Sequence, residues 1–531
     1  MNELYTPQVV GELVAERASS MGEKRFLRFK DQSFTYGDMD RFSNRCANGY
    51  QKLGITKNDK VSIMLPNCPE FLHLWFGCAK VGAVEVPINT SYKGEFLRHI
   101  VDQSDSRILV IDEAFLDRVK LIQDDLKKLE KIIVLGGIAK EWVDGLKIPV
   151  MRYEEFFDAP ETPVDVKVYP WDPHSIIYTS GTTGVSKGGL QPHKMYIAVA
   201  EQLMDRRDGR NDDVFYTFLP LYHFNAQDLT TITAMVAGAE MVLSDKFSAG
   251  KFWDEIRACG ATQFNYLGAV IPILAKQPEK PDDLNNNIRI AFGAGCPQAV
   301  MDLVEKRFGM TCVEGFGMTE IGIPIHVSPN DRRPGSCGKA LEIYDIKLVD
   351  DNDEEVPVGE PGEIIFRPEE PFTMMLGYYN MPDKTLETYR NLWFHSGDLA
   401  KRDGDGYFYF VDRKKDSLRR RGENISSFEV ERAINTHNAV LESAAVAVKS
   451  ELSEDEVKIC VVLKPGETVT YEELTEYAVE RMPYFAVPRF IEFKESLPKT
   501  PTERVQKYIL KQEGVTPKTW DREKAGVQVA R

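Results

Sequence analysis

The residues best suited to chemistry stand in one short segment that combines glycines, hydroxyl side chains and a single lysine. It runs from Tyr178 to Gly189, reads YTSGTTGVSKGG, and follows the apolar pair Ile176 and Ile177. Glycines allow positive φ angles and close approach of the backbone, and N–H groups, hydroxyls and a lysine together bind phosphate oxygens. The P-loop pattern does not apply, because Lys187 lacks the preceding glycine and the following serine or threonine. The segment predicts a polyphosphate cradle made by Thr179, Ser180, Gly181, Thr182, Thr183, Gly184 and Lys187.

Further segments with carboxylates, a histidine and basic residues follow in a fixed order. They are PLYH at 220–223, GFGMTE at 315–320, WFHSGDL at 393–399, DRKKD at 412–416, RGENI at 421–425 and LPKTP at 497–501. With the glycine-rich segment, they resemble the adenylate-forming superfamily, which comprises AMP-forming acyl-CoA synthetases, luciferases and adenylation domains. The resemblance extends from about residue 5 to residue 510. The stretch RRRGENISSFE at 419–429 is most similar to the crotonobetaine/carnitine-CoA ligase branch.

This resemblance implies an ATP-dependent carboxylic acid–CoA ligase. Such an enzyme converts an acid to acyl-AMP with release of pyrophosphate, and then transfers the acyl group to the thiol of coenzyme A after its C-terminal domain rotates. ATP, Mg²⁺ and coenzyme A are the implied cofactor and co-substrates, and a homodimer is compatible with the resemblance. Two alternatives stay open, namely an adenylating enzyme that loads a carrier protein and an ATP-binding protein with impaired catalysis.

The resemblance also assigns roles to residues of the nucleotide site. Glu320 would bind Mg²⁺, for which one carboxylate with phosphate oxygens and water is sufficient. Thr319 would offer its hydroxyl to the α-phosphate, and Lys187 would add a charge. The expected ribose-binding residues are Asp398, Phe410 and Arg413, and the expected adenine-binding residues are Gly295, Cys296, Pro297, Glu314, Gly315, Phe316, Gly317, Met318 and Thr319.

One position departs from the family. A lysine that bridges the carboxylate and the α-phosphate usually follows LPKTP, a small residue and glycine. In this chain Thr502 and Glu503 come next, and Arg504 occupies the lysine position. Arginine keeps the charge but is bulkier than an ammonium group. Arg504 is therefore the candidate catalytic cation, and Lys507 could replace it only if the register of the loop shifted.

The acid and the thiol have candidate sites as well. His223 is expected to act at the mouth of the acyl pocket as a gate, and a quaternary-ammonium acid would need aromatic faces such as Tyr222, Phe224, Phe264 and Tyr266. The predicted acyl pocket consists of Tyr222, His223, Phe224, Asn225, Tyr266, Gly268, Gly293, Ile321 and Gly322. The predicted coenzyme A site is Arg419, Arg420, Arg421, Gly422 and Glu423, and Lys415 is the predicted hinge.

Composition limits the remaining choices. The chain has 531 residues, of which 43% are hydrophobic and 28% charged, and its formal charge is -16. The length predicts more than one domain, and the acidic balance argues against nucleic acid as the main partner. No apolar run approaches the roughly 20 residues of a membrane span, and the N-terminus lacks the features of a signal peptide. Eight cysteines without a CxxC pair are typical of reduced thiols, so we expect a cytoplasmic enzyme.

The pattern of apolar residues predicts the elements that position these motifs. Short apolar runs near residues 60–65, 108–111, 132–135 and 288–292 alternate with helical periods at 95–102 and 299–308. Such alternation predicts an α/β fold of parallel-rich sheets flanked by helices. Short strands and turns at about 340–411 predict a small β-barrel-like subdomain within an N-terminal domain of residues 1–411. Residues 412–531 are expected to form a small mobile α+β domain, with a loosely held tail after Gly514.

Overall fold

The computed structural model describes most of the chain. The described residues are 6–138, 143–179, 186–267, 270–296, 298–413, 418–420, 423–425, 427–449, 455–498, 505 and 507–529. No helix within these ranges is long and apolar enough to cross a membrane.

The described elements have the following bounds. The strands are β1 Arg25–Phe29, β2 Gln32–Thr35, β3 Lys60–Met64, β4 Val84–Pro87, β5 Ser106–Asp112, β6 Lys131–Leu135, β7 Val150–Arg152, β8 Pro173–Thr179, β9 Lys187–Pro192, β10 Val214–Thr217, β11 Glu240–Leu243, β12 Gln263–Asn265, β13 Ile290–Gly293, β14 Thr311–Met318, β15 Gly322–His326, β16 Lys339–Ala340, β17 Tyr344–Val349, β18 Gly362–Pro368, β19 Gly377–Tyr378, β20 Tyr389–Arg390, β21 Trp393–Arg402, β22 Phe408–Arg413, β23 Leu418–Arg420, β24 Glu423–Ile425, β25 Val440–Lys449, β26 Asp455–Leu463, β27 Phe490–Phe493 and β28 Trp520–Asp521. The α-helices are α1 Val10–Met21, α2 Tyr36–Lys52, α3 Pro69–Val81, α4 Gly94–Gln103, α5 Asp117–Lys120, α6 Tyr153–Phe157, α7 His193–Arg206, α8 Phe224–Ala226, α9 Thr233–Ala237, α10 Phe252–Cys259, α11 Val270–Ala275, α12 Gln298–Phe308, α13 Pro382–Thr388, α14 Ser427–Asn435, α15 Tyr471–Arg481 and α16 Lys507–Glu513. A π-helical segment, Gln227–Ile232, joins α8 to α9.

The chain folds into two compact units. The first consists of Met1–Thr90, Val101–Ile177 and Gly188–Asp412. The second consists of Ser91–Ile100, Tyr178–Lys187 and Arg413–Arg531. The second unit thus includes two short segments from the N-terminal part of the sequence.

Two large sheets dominate the first unit. One has nine strands in the order β16-β15-β14-β13-β12-β10-β11-β1-β2, and the other has eight in the order β19-β9-β8-β4-β3-β5-β6-β7. The central pairs are parallel, including β3 with β4 and β5, and β12 with β13. Their strands are apolar on both faces because helices cover both sides, as the burial of β3 and β13 illustrates. The predicted α/β architecture with parallel-rich sheets is confirmed.

A smaller antiparallel sheet follows in the first unit. Its order is β17-β18-β21-β20, and β22 adds to β21. Strands β17 and β18 pair along their whole length, from Tyr344 opposite Pro368 to Val349 opposite Glu363. This half-barrel sheet confirms the predicted β-barrel-like subdomain.

The C-terminal part of the second unit is a small α+β structure. Its sheet has the order β25-β26-β27-β28, and α14 and α15 begin and end within one residue of the helices that the sequence predicts at 427–435 and 472–481. The prediction of a loose tail after Gly514 was wrong for the described residues. Strand β28 pairs with β27, and the Trp520 ring stacks on Tyr471 with 5.2 Å between centroids.

Candidate active site

Thr319 and Glu320 lie at the tip of a tight hairpin in the first unit. Strands β14 and β15 are antiparallel, and Met318 pairs with Gly322, so three residues make the turn. Gly322 has a φ of +74°, which favours glycine at this turn. The backbone carbonyl of Thr319 accepts a hydrogen bond of 2.5 Å from the Gln191 side chain. The Glu320 side chain is 4% exposed, so its carboxylate is held inside the structure.

Tyr378 connects this hairpin tip to the end of the glycine-rich segment. Its hydroxyl donates to Oε1 of Glu320 at 2.8 Å. Its backbone belongs to β19 and pairs with Gly189 on β9. Burial and the negative charge of Glu320 raise the pKa of Tyr378, so the phenol stays protonated and donates. Two motifs that are 130 residues apart therefore meet through a single tyrosine.

The predicted adenine-binding residues surround Glu314. Its Oε1 accepts from the backbone N–H of Cys296 at 2.7 Å and from the Tyr266 hydroxyl at 3.4 Å. Burial raises the pKa of Glu314. Gly295 takes a φ of +78°, so the chain turns sharply before Cys296. Strands β13 and β14 are parallel with Gly293 opposite Glu314, and this register brings the GAGC and EGFGMT segments together.

Two aromatic residues from separate motifs stack beside this region. The rings of Phe316 and Phe410 are 6.4 Å apart with an interplanar angle of 24°. Phe316 is 9% exposed, whereas Phe410 is 47% exposed. The structure therefore brings an adenine-motif residue and a ribose-motif residue side by side, with one ring left open to solvent.

Asp398 is presented by an irregular part of β21. The register between β18 and β21 shifts between Glu363 and Ile365, and Gly397 takes a φ of +74°. The backbone N–H of Gly397 donates to Glu363 Oε1 at 3.1 Å, and that of Asp398 donates to Ser396 Oγ at 3.1 Å. These bonds fix the turn that carries the Asp398 carboxylate, which is 8% exposed.

The predicted acyl-pocket residues lie around the start of the helix that follows PLYH. His223 precedes α8, is half-buried, and its ring meets that of Tyr222 edge-on at 4.8 Å. Asn225 accepts a hydrogen bond of 2.9 Å from Asn265. Gly293 must lack a side chain, because a Cβ there would lie 2.4 Å from the Tyr266 ring. Phe264 and Tyr266 are 2% and 0% exposed, so of the four proposed cage aromatics only Tyr222 is half-exposed.

Several predicted residues lie outside the described part of the chain or in the second unit. Thr179 and Lys187 belong to the second unit, where the Thr179 hydroxyl is 3.5 Å from the Lys187 carbonyl. Those outside the described residues are Ser180, Gly181, Thr182, Thr183, Gly184, Gly268, Pro297, Lys415, Arg421, Gly422 and Arg504, with the side chains of Arg413 and Arg419.

Arg420 and Glu423 are the described side chains of the predicted coenzyme A site. Arg420 is 2% exposed, and its guanidinium donates to the carbonyls of Phe485 and Val487 and pairs with Glu456 at 2.6 Å. Glu423, on the neighbouring strand β24, is the register partner of Arg420. Lys507 forms an ion pair of 2.6 Å with Glu431 and donates to Ser427, which occupies its ammonium group within the second unit.

A chain of hydrogen-bonded polar side chains, which the motifs do not predict, connects the hairpin tip to the interior of the first unit. Gln191 links the Thr319 carbonyl to Ser175, whose hydroxyl bonds Tyr196, and Tyr196 donates to Gln227. Gln227 in turn donates to the fully buried Glu85. The only signal in the sequence was the presence of polar residues within apolar strands, such as Glu85 in AVEVP.

The comparison with known proteins decides the family. Residues 14–379 match the family of the AMP-binding enzyme, and residues 429–504 match the AMP-binding enzyme C-terminal domain. The chain belongs to the AMP-binding enzymes. A crotonobetaine/carnitine–CoA ligase of Salmonella heidelberg is 33% identical to it over 505 residues, which cover 93% of this chain and 97% of the relative.

Solved structures of the same class share the fold. An anthranilate CoA ligase in complex with anthranoyl-AMP is 27% identical, with a TM-score of 0.72 and coverage of 96% of this chain and 98% of that one. ATP-bound MatB from Rhodopseudomonas palustris is 25% identical, with a TM-score of 0.69 and coverage of 94% and 98%. An o-succinylbenzoate CoA synthetase of Bacillus subtilis has a TM-score of 0.81 at 22% identity and supports the fold. This AMP-binding enzyme is an AMP-forming acyl-CoA synthetase.

Proposed function

We propose that this enzyme activates its acid with the residues of the hairpin tip and then transfers the acyl group to coenzyme A. A carboxylate is a poor acylating agent, so the first half-reaction joins it to AMP and releases pyrophosphate. The thiol of coenzyme A then attacks the mixed anhydride. Thr319, Glu320 and Asp398 would serve the first step, together with Lys187, the hydroxyls of the glycine-rich segment and Arg504.

One observation carries this assignment, namely the contact of Tyr378 with two motifs. Gly189 closes the glycine-rich segment and pairs with Tyr378, whose hydroxyl holds the Glu320 carboxylate. A segment suited to polyphosphate and a carboxylate suited to a metal are therefore joined by one residue. An ATP site needs both groups, whereas a structural hairpin would not require a buried carboxylate at its tip.

Mg²⁺ fits the group that Glu320 provides. Tyr378 orients the carboxylate through one of its oxygens, and Mg²⁺ prefers one or two carboxylates with phosphate oxygens and water. Among the described residues, no cluster of three or more His, Cys, Asp or Glu side chains could hold a metal by itself. The metal would therefore arrive with ATP, and it would neutralise the phosphate charge that Glu320 and Thr319 face.

The nucleoside would lie between the two ring motifs. Phe316 and Phe410 supply stacked faces, and the partly exposed Phe410 has a free side for a sugar or base. Asp398 would accept hydrogen bonds from the ribose hydroxyls, since the bulge of β21 fixes its backbone. Arg413 is the further ribose-binding residue that the sequence predicts.

The test measures pyrophosphate release on short, branched, aromatic and betaine acids, each with and without coenzyme A. The proposal expects an acid-dependent release and a thioester product that forms only when coenzyme A is present. Glu320→Gln should lower kcat/KM by about 10²–10³, because it removes one charge-stabilising group from the first step. The exposed Glu342→Gln is the matched control and should behave like the native enzyme.

Other outcomes would contradict the proposal in distinct ways. Release that is independent of coenzyme A, with an acyl-adenylate that only a phosphopantetheinylated carrier discharges, would indicate a carrier-loading enzyme. ATP binding without pyrophosphate release, for every acid and at every Mg²⁺ concentration, would indicate a binding protein.

A further inference from the structure

A buried arginine in the first unit has an unused hydrogen-bonding edge. Arg207 follows α7 and is 1% exposed. Its Nη1 donates to Asn265 Oδ1 at 3.1 Å, and the guanidinium lies 3.6 Å from the centre of the Phe292 ring. Its Nε and Nη2 have no hydrogen-bond acceptor among the described residues. These two groups lie on one edge of the guanidinium, the edge that usually binds an oxygen acceptor.

A buried carboxylate faces the same region. Asp228 lies in the π-helical segment and is 0% exposed. Neither of its carboxylate oxygens accepts a hydrogen bond from any side chain or backbone group that the structure describes. Asn265, which accepts from Arg207, also donates to the carbonyl of Leu229 and to the hydroxyl of Thr230, so the residues that follow Asp228 are held at the same asparagine. Burial raises the pKa of Asp228, and the positive charge of Arg207 opposes this shift, so the carboxyl group is held toward its protonated form.

Such groups are costly when they stay unpaired. A buried donor or acceptor without a partner costs about 1–3 kcal/mol, and a charged one costs more. His326 adds two ring nitrogens without partners in the described structure, and its ring stacks on Phe292 at 4.8 Å. Native proteins rarely leave several such atoms together, so the cluster of Arg207, Asp228 and His326 needs a partner from outside the chain.

The cluster adjoins the predicted acyl pocket. Asn265, which binds Arg207, also binds Asn225 of that pocket, and Phe292 precedes Gly293. Phe292 itself lies against both the Arg207 guanidinium and the His326 ring. The cluster is therefore linked to two of the segments that would surround the acyl group, those of Asn225 and Gly293.

We propose that Arg207 and Asp228 form a subsite for a hydroxyl group on the tail of the acid substrate. The hydroxyl oxygen accepts from the free edge of Arg207, while its proton is donated to Asp228, so that both buried groups gain a partner. A quaternary ammonium has no proton to donate and is repelled by Arg207, and a plain alkyl tail leaves both buried groups without a partner. This inference rests on the proposed function, since it needs an acyl group in the pocket.

The experiment compares acids of equal length that differ only in the tail. The purified enzyme is assayed for pyrophosphate release with plain, hydroxylated, dicarboxylic and betaine acids of four to eight carbons. A site that binds a hydroxyl should prefer the hydroxy acid over the plain acid by about 10²-fold or more in kcat/KM, because the plain acid leaves both groups unpaired. Arg207→Met should reduce this ratio at least tenfold, and Arg210→Met, at an exposed arginine nearby, should leave it unchanged.

The outcomes separate the inference from the function on which it rests. Equal use of plain and hydroxy acids by the native enzyme overturns the hydroxyl subsite and leaves the ligase intact. A preference for the dicarboxylic acid or the betaine over the hydroxy acid overturns it as well, since neither tail carries the hydroxyl group that the subsite would bind. No release with any acid contradicts the ligase itself. The native comparison needs no variant, so poor folding of Arg207→Met would not affect it.

Discussion

Two uncharged side chains hold the tip that carries Thr319 and Glu320. Tyr378 donates to one oxygen of the Glu320 carboxylate, and Gln191 donates to the adjacent carbonyl of Thr319. These two bonds fix the direction of the carboxylate and the position of the backbone beside it.

Arg504 is the residue whose substitution is most informative. Arg504→Ala should lower the rate of pyrophosphate release by about 10²–10³, because it removes the cation that we propose for the reacting carboxylate and the α-phosphate. Arg504→Lys should keep or increase the rate, since lysine restores the compact ammonium usual in the family. Both variants are measured by pyrophosphate release under saturating ATP.

Lys507→Ala is the control for the variants at position 504, because it removes the other basic side chain of the same segment. The native Lys507 ammonium is bound to Glu431 and Ser427, so we expect the variant to adenylate its acid at nearly the native rate. A native rate for Arg504→Ala, or a larger loss for Lys507→Ala, would show that the catalytic cation is not at position 504.

Single residues of this site were predictable where a motif states their type and order. Glu320, Asp398 and Phe316 follow from such motifs, and their environments agree with a polar site beside aromatic faces. Gln191 and Tyr378 were not predictable, because a side chain that positions another residue leaves no local pattern. Arg207 and Asp228 were missed for a related reason, since only the folded chain shows that their atoms lack partners.

At the scale of elements, the β14–β15 hairpin depends on Gly317. A Cβ at this position would lie 2.2 Å from the Gly322 carbonyl oxygen, which is part of the opposite backbone. Gly317→Ala should lower the free energy of unfolding by about 1–3 kcal/mol and also slow adenylation, because the strands must separate at the tip that carries Thr319 and Glu320. Urea unfolding and pyrophosphate release measure the two effects. Gly404→Ala, where nothing lies within 4 Å, should change neither, and an equal effect there would contradict this explanation.

A buried ion pair makes the C-terminal sheet sensitive to acid. Lys458 on β26 and Glu492 on β27 are 2.8 Å apart, and Thr516 and Thr519 also donate to Glu492. Burial alone would raise the pKa of Glu492, but these bonds outweigh it and lower the pKa to about 2. Glu492→Gln should therefore lower the free energy of unfolding by about 3 kcal/mol at neutral pH, since the buried Lys458 loses its counterion.

The stabilisation that the Glu492 carboxylate provides depends on pH. The stabilisation is fully present above the pKa of the unfolded chain, near 4.5, and is lost as the pH falls toward 2. The difference between native and variant enzyme should shrink over that range in chemical unfolding measured by circular dichroism. The exposed Glu467→Gln is the control. A difference that stays constant with pH would show that the variant acts through packing.

The elements divide in the same way into those that sequence could predict and those that it could not. Long periodic segments such as α12 and α14 lie within about one residue of the prediction, because one apolar stripe or run defines them. The tail strand β28 was missed, since its two residues gain order only from pairing with β27 and from the stacking of Trp520. The π-helical segment was missed because the hydroxyls of Thr231 and Thr233 donate to the buried backbone carbonyls of Ala226 and Asp228, each five residues earlier. The sequence alone does not show these bonds.

At the scale of the whole molecule, the predicted rotation of the C-terminal domain between the two half-reactions can be tested at Lys415. Lys415→Pro would fix the φ angle at the predicted hinge. We expect a single turnover of adenylation at the native rate and a fall of about 10² in formation of the thioester, because the second half-reaction follows the rotation. Rapid-quench assays of pyrophosphate and of acyl-CoA separate the two steps.

Lys415→Ala is the matched control, since it removes the same ammonium but keeps the backbone free. It should support both half-reactions. If it loses thioester formation as strongly as Lys415→Pro, the side chain and not the backbone is responsible. If Lys415→Pro turns over normally with coenzyme A, position 415 is not the hinge.

The parallel pairing of β1 with β11 has a consequence for synthesis of the enzyme. Arg25–Phe29 is made early, but its partner Glu240–Leu243 emerges more than two hundred residues later. At an elongation rate of about 5–20 residues per second, the first strand waits roughly 10–40 s on the ribosome for its neighbour. During that time its apolar side chains, among them Phe26 and Leu27 on opposite faces of the strand, are open to nascent-chain chaperones. Ribosome-arrested chains should become resistant to protease near this strand only when the arrest point lies beyond β11.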